Sequence, residues 1–169
     1  APDISSISIK PKGFKTVIYD QQGNERNTLS TVNSNRVYVY YDEIPENVIN
    51  AFVAIEDERF WEHNGIDVRG IFRALYRDLA SGSMDEGAST ITQQVAKNIF
   101  LTPNKTVRRK VQELLLALWL EKKMSKEQIM ALYLNRVYFG SGNYGADAAA
   151  NWYFNKSVYD LNLHEAATT

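Results

Sequence analysis

The chain has 169 residues, 44% of them hydrophobic and 12% aromatic, with a formal net charge of −1. That is enough for one domain with a sizeable core, and the length argues against two. A near-neutral total argues against wholesale binding to nucleic acid. With no cysteine there is no disulfide framework and no thiolate metal site, which leaves the redox compartment open.

The first forty residues differ from the rest. Val17-Ile18-Tyr19-Asp20 and Val37-Tyr38-Val39-Tyr40-Tyr41 have the β-branched and aromatic content of strands, with a turn at Gln21-Gln22-Gly23-Asn24. Residues 1–43 are therefore expected to be an extended or β linker segment. From Pro45, which suits a first helical position, the period becomes helical, and Val48, Ile49, Phe52, Val53 and Ile55 form an apolar stripe ending at Glu56. Asp67 can cap a helix carrying Ile71, Phe72, Leu75, Tyr76 and Leu79, which Gly82 would end. A helix starting near Ser89 would pack Ile91, Val95 and Ile99 on one face and leave Ser89, Gln93 and Lys97 on another, open to a ligand. The next, from about Thr106 to Lys122, would bury Val107, Val111, Leu114, Leu115 and Leu118 and set Arg109 one turn from Glu113. Ser125 with Gln128 makes a capping box for a helix reaching Leu134, and another helix begins near Leu163.

The class is mostly α, without internal repeats. The longest uninterrupted apolar run, Leu114 to Leu120, falls far short of the roughly 18 residues of a membrane span. The first residues, Ala1-Pro2-Asp3, and the last, Ala166-Ala167-Thr168-Thr169, read as the ends of a fragment, so missing targeting signals carry little weight.

Two features carry chemistry. Glu56 stands at the end of an apolar helix beside Asp57, the setting of a proton acceptor. Between Gly87 and Gln112 there is no acid, while Lys97, Lys105, Arg108, Arg109 and Lys110 all fall there. Such a cluster at a helix N-terminus suits an anion, phosphate above all. Taken singly, each has a plainer reading: a solvated basic face, an exposed Arg109–Glu113 pair, a helix-end acid facing water. His63 reads as a hydrogen-bonding residue with a positioning role, since having His164 as the one other histidine argues against a multi-histidine metal site.

The spacing of these residues resembles a known family. Glu56-Asp57-x-x-Phe60-x-x-His63-x-Gly65, Gly87-x-Ser89-Thr90-Ile91-Thr92-Gln93-Gln94-x-x-Lys97-Asn98, Arg109-Lys110-x-x-Glu113, Leu132-Tyr133-Leu134-Asn135-x-x-Tyr138-Phe139-Gly140 and Ala149-x-x-x-Tyr153-Phe154-x-Lys156 are similar, in order, to the motifs of the peptidoglycan glycosyltransferases, glycosyltransferase family 51. These are the transglycosylase domains of class A penicillin-binding proteins and their monofunctional relatives. The resemblance covers about Ile44 to Ala167 and implies a lysozyme-like, mainly α-helical domain over residues 44–169, truncated at its C-terminus.

It further implies polymerisation of lipid II into glycan strands, with inversion and departure of undecaprenyl pyrophosphate. Glu56 would be the general base on the acceptor GlcNAc 4-hydroxyl, and Glu113 the second catalytic glutamate. Lys97, Lys105, Arg109 and Lys110 would neutralise the pyrophosphate, with Lys105 standing where relatives usually carry Arg. Ser89, Gln93, Gln94 and Asn135 would line or brace the cleft, and Asp57, Phe60, His63 and Gly65 would position it. No cofactor is obligatory and no metal ligand set can be read, although Mg²⁺ or Mn²⁺ is compatible with a diphosphate. The expected partners are lipid II, the growing lipid-linked strand, the membrane surface and a downstream transpeptidase domain. The expected location is the outer face of the bacterial cytoplasmic membrane, through an N-terminal transmembrane segment outside this chain. Residues 82–87 resemble the family's mobile loop, and Phe72, Leu75, Tyr76 and Leu79 lie where relatives dip into the membrane interface, although periodicity fits buried core equally well.

The inventory itself agrees with a transferase. A diphosphate leaves well when cations stabilise it, so one base and several cations suffice. A glycosidase must protonate a poor leaving group and needs a second carboxylate across the bond. A lysozyme-like glycan hydrolase and a non-catalytic cell-wall binding module are the alternatives.

Overall fold

The computed structural model describes residues 16–19, 22, 25–29, 38–81, 89–101 and 106–169. Lys105, Gly82 and the loop expected at 82–87 lie outside them. The order is β1 (Thr16–Tyr19), β2 (Glu25–Leu29), α1 (Glu46–Glu56), α2 (Val68–Ser81), α3 (Ile91–Phe100), α4 (Val107–Glu121), α5 (Lys126–Arg136), α6 (Ala146–Phe154) and α7 (Leu163–Thr168). The molecule is mainly helical, in keeping with the lysozyme-like domain expected.

β1 and β2 form an antiparallel hairpin around Gln22, so the second strand is at Glu25–Leu29, and residues 38–41, the described part of the strand expected at 37–41, are not one. Val39 shows why. Its N–H donates to Asn135 Oδ1 at 2.8 Å and its carbonyl accepts from Asn135 Nδ2 at 3.0 Å. A buried side-chain amide thus satisfies the backbone that a neighbouring strand would otherwise pair.

Four helices start on the capping chemistry their sequences carry. Thr90 accepts from Gln93 N, Thr106 from Arg109 N, Ser125 shares a complete capping box with Gln128, and Asn162 one with Glu165. Asp67 accepts from Gly70 N ahead of α2. Pro45 is the N-cap of α1, one residue before the helix proper.

α3 lies at the centre, packed on both α4 and α5, while α1 packs on α7. The core gathers Val48, Phe52, Phe60, Ile91, Val95, Leu120 and the inner face of α5. Ile55, expected on the buried stripe of α1, is exposed.

α4 is turned differently from expectation. Val107, Val111, Leu115 and Leu118 are exposed, and the buried residues are Glu113, Ala117 and Leu120. The helix carries two apolar stripes, and the one containing the small Ala117 faces inward because the chain at Gly65 approaches its backbone. A Cβ on Gly65, whose φ is +88°, would lie 2.9 Å from the Ala117 carbonyl oxygen. Only glycine meets both demands.

Candidate active site

Glu56 ends α1 where the helix C-cap passes to Asp57. Gln94, on α3, donates through Nε2 to Glu56 Oε2 at 2.7 Å. Oε1 has no such partner among the described residues. The Phe52, Tyr133 and Phe139 rings pack edge to face in the core one turn behind. Burial, with the charge of Glu56 as a second cause, pushes the Tyr133 phenol far above its ordinary value, so it stays neutral. Sequence reasoning named Tyr133 within a motif and gave it no role.

The loop from Asp57 to Gly65 is stapled to the start of α3. Gly65 N–H donates to His63 Nδ1 at 3.1 Å, which makes that nitrogen the acceptor and leaves the ring proton on Nε2. Nε2–H then donates to Asp57, 2.9 Å from Oδ1 and 3.0 Å from Oδ2. Asp57 Oδ2 also accepts from Ile91 N at 3.0 Å, and Thr90 Oγ1 donates to the Gly65 carbonyl at 2.7 Å. Phe60 is fully buried beneath Lys126, whose ammonium stands 4.3 Å from the ring centroid. Asp57, Phe60, His63 and Gly65 therefore hold α3, and with it Gln94, against the end of α1.

The basic cluster is partly as expected. Lys110 Nζ donates to Ser89 Oγ at 2.8 Å, lies 3.4 Å from Gln93 Oε1 and forms the ion pair with Glu113. Glu113 is 2% exposed. Its ion-pair partner is thus Lys110, three residues away, and not Arg109. Gln93 is buried, so it does not lie on an open face, and Ser89 precedes the helix, which begins at Ile91. Lys97 is exposed and Arg109 half-buried. Two donors here, Gln93 Nε2 and Arg109 Nε, are buried without a hydrogen-bond partner among the described residues. Asn135 is buried on Val39 and the Ala131 carbonyl, where it braces the fold and does not line a cleft.

A 250 Å³ cavity opens beside Glu56, bounded by α1's last turn, by Ser89 and Thr90, and by Gly70, Arg73, Ala74 and Arg77 of α2. The two arginines escaped the sequence reading, although their i, i+4 spacing beside Phe72 and Tyr76 is visible there. Arg59 Nη2 meets Asp67 at 2.6 and 2.7 Å at the rim. Burial alone would raise the Asp67 carboxyl, but the Gly70 N–H and the bonds and charge of Arg59 outweigh it and hold the group below its ordinary value. Phe72, Tyr76 and Leu79 are 68%, 79% and 86% exposed, so core burial, one of the two readings of this stripe, does not hold for them. No helix among the described residues is long and apolar enough to cross a membrane.

Comparison with known proteins agrees with this arrangement. The sequence model of the transglycosylase family matches residues 22–169. Penicillin-binding protein 1F of Bacillus subtilis (strain 168) is 51% identical over 150 residues, 89% of this chain and 21% of that protein. Penicillin-binding protein 1A of Aquifex aeolicus (strain VF5) is likewise 51% identical over 150 residues, 89% of this chain and 20% of its own length. Penicillin-binding protein 1A of Escherichia coli (strain K12) is 49% identical over 132 residues, 78% of this chain and 16% of the relative. The chain spans about a fifth of the length of such relatives. With the match running through both the stapled loop of Glu56 and the Lys110 cluster, the chain belongs to the transglycosylase family, glycosyltransferase family 51.

Proposed function

We propose that this domain polymerises lipid II by inverting glycosyl transfer. Glu56 takes the proton of the acceptor GlcNAc 4-hydroxyl as that oxygen attacks C1 of the donor MurNAc, and undecaprenyl pyrophosphate leaves. The observation that carries the reading is the state of Glu56: one carboxylate oxygen is fixed by Gln94 and the other has no partner among the described residues, beside a cavity that Ser89, the partner of Lys110, also lines. A base held in this way needs little reorganisation at the moment of proton transfer.

Lys97, Lys105, Arg109 and Lys110 stabilise the departing diphosphate, with Ser89 and Gln93 aligning Lys110. The buried, unpartnered Gln93 Nε2 and Arg109 Nε support an anion there, since a ligand oxygen would offset the cost of leaving them unbonded, about 1–3 kcal/mol each. Glu113 acts by orienting Lys110. Its burial and ion pair weigh against a glycosidase, which needs a second carboxylate reaching the scissile bond. Among the described residues no three His, Asp or Glu side chains converge as metal ligands. A Mg²⁺ or Mn²⁺ ion would be held largely by the diphosphate's own oxygens and would supply charge neutralisation there.

The exposed Phe72–Tyr76–Leu79 stripe supports work at a membrane surface, and the relatives' names support a penicillin-binding, transpeptidase portion in the whole protein. The test is incubation with labelled lipid II in detergent. The parent is expected to release undecaprenyl pyrophosphate and build polymer, with activity at least about 10²-fold lower in Glu56→Gln. Cleavage of preformed glycan without polymerisation would establish the hydrolase instead, and binding without either reaction would establish the binding module.

A further inference from the structure

The ring of His63 is wired for one protonation state. Its Nδ1 accepts from the Gly65 N–H at 3.1 Å, and its Nε2–H donates to Asp57 at 2.9 and 3.0 Å. Nδ1 can accept only while it carries no proton. In the imidazolium two donors, Nδ1–H and the Gly65 N–H, would face each other. We propose that His63 is a proton switch on the site: with Nδ1 protonated, the staple at Gly65 opens, the start of α3 shifts, and Gln94 loses its hold on Glu56. The consequence for turnover rests on the polymerase reading above, and the switch itself does not.

The route from His63 to Glu56 is short. Gly65 is buried with φ +88°, and a Cβ there would already meet the Ala117 carbonyl oxygen at 2.9 Å, so its backbone has little room to withdraw toward α4. Its carbonyl accepts from Thr90 Oγ1 at 2.7 Å, and the same hydroxyl accepts from Gln93 N at 3.1 Å as the N-cap of α3. The Thr90 carbonyl in turn accepts from Gln94 N at 3.0 Å.

Two responses are open to the imidazolium. Gly65 can move away, which strands its buried N–H and draws on the Thr90 hydroxyl. Alternatively the ring can swing out, which takes it from Asp57, whose Oδ2 also holds Ile91 N at 3.0 Å. Both displacements fall on residues 90 and 91, one turn ahead of the amide that reaches Glu56 Oε2 at 2.7 Å.

The surrounding charges leave the switch free to act. Asp57, at the end of α1, keeps its bond to Nε2–H in either state and favours the imidazolium; among the described residues it has no cationic partner but His63. Asp67, ahead of α2, also feels the charge of His63, but it is bound to Arg59 of the same loop. Lys126 of α5 opposes protonation: its ammonium stands 4.3 Å from the centroid of the Phe60 ring, which meets the His63 ring edge to face. That ammonium is paired at 2.7 Å with Glu121 of α4, beside Gly65. Glu62, the chain neighbour, is exposed, and α3 begins here with the uncharged Ile91 and Thr92. The His63 side chain is 9% exposed, so a proton can arrive from solvent.

Two measurements test this. In ¹⁵N-labelled protein, NMR titration from about pH 8 to about pH 5 spans the range in which imidazoles change charge. His63 should begin with its proton on Nε2 and gain one on Nδ1, with the Gly65 amide, the Ile91 amide and the Gln94 side-chain amide shifting at the same midpoint. An Nδ1 that stays bare throughout, or that titrates while Gly65 and Gln94 stay still, overturns the proposal.

In the lipid II coupling assay, kcat is followed down the same range in the parent and in His63→Asn, whose amide oxygen stands in for Nδ1 and accepts at every pH. The parent needs two deprotonated groups, Glu56 and His63, so log kcat should fall with a limiting slope of about 2 per pH unit, against about 1 in the variant. Equal slopes overturn the switch, and if the variant does not fold, the NMR titration of the parent decides alone. If the parent titrates as expected but builds no polymer at any pH, the polymerase reading falls while the switch on α3 stands. If it polymerises while the Gly65 amide stays bonded throughout, the reverse holds.

Discussion

The amide of Gln94 restrains Glu56 through a single 2.7 Å bond, and its effect can be isolated. Gln94→Ala should lower kcat about tenfold, the scale of one charge-assisted hydrogen bond, with KM nearly unchanged because Gln94 acts on the base and not on the substrate. A comparable loss expressed wholly in KM would mean that Gln94 touches the sugar. Asp57 sits behind this bond. Replacing it by Ala strands the Ile91 N–H and the His63 Nε2–H and should cost about 2–4 kcal/mol in denaturant unfolding. Both side chains stand inside motifs visible in the sequence. Their partners were not, because the bonds cross 34 and 38 residues and no local pattern reports which side chains meet across a fold.

At the scale of elements, helix existence was legible from period and capping, while orientation was not. In α4 the more hydrophobic of two stripes was expected to be buried, yet size decided the matter: Ala117 admits the Gly65 backbone and bulkier neighbours do not. Leu115→Gln should accordingly change stability by less than about 0.5 kcal/mol, and Leu120→Ala should cost about 2–5 kcal/mol, both read from denaturant midpoints. Gly65→Ala meets a positive φ and a carbonyl oxygen at once and should cost at least about 1–3 kcal/mol. The strand expected near Val39 failed for a related reason. Its composition suits an extended chain, and extended it is, but what pairs with it is a side chain from 96 residues away.

For the molecule as a whole, the carboxyls of Asp67 and Glu165 are the informative titrations. The Gly70 N–H and Arg59 hold Asp67 below its ordinary value against burial, and Lys156 with the Asn162 N–H does the same for Glu165. A carboxyl lowered by folding contributes stability that is complete above its unfolded value, about 4, and is lost as pH falls through its lower folded value. Thermal unfolding should therefore show a fall in Tm below about pH 4 that is shallower in Asp67→Asn. The exposed stripe of α2 gives a second whole-molecule test. Replacing Phe72, Tyr76 and Leu79 by Ser should weaken flotation with anionic vesicles and leave Tm almost unchanged, since these side chains contribute little to the core.

Asn135 gives its amide to Val39 on both backbone sides while holding the Ala131 carbonyl at 2.8 Å, and this makes it a stop for fraying. Opening of the chain that reaches Val39 must there break hydrogen bonds that belong to α5, in the turn that also carries Tyr133. The Val39 amide proton should therefore exchange with solvent on the slow timescale of α5, however fast the residues ahead of it exchange. Any pull exerted through the N-terminal segment is thereby borne by the helix behind Glu56 before it reaches α1.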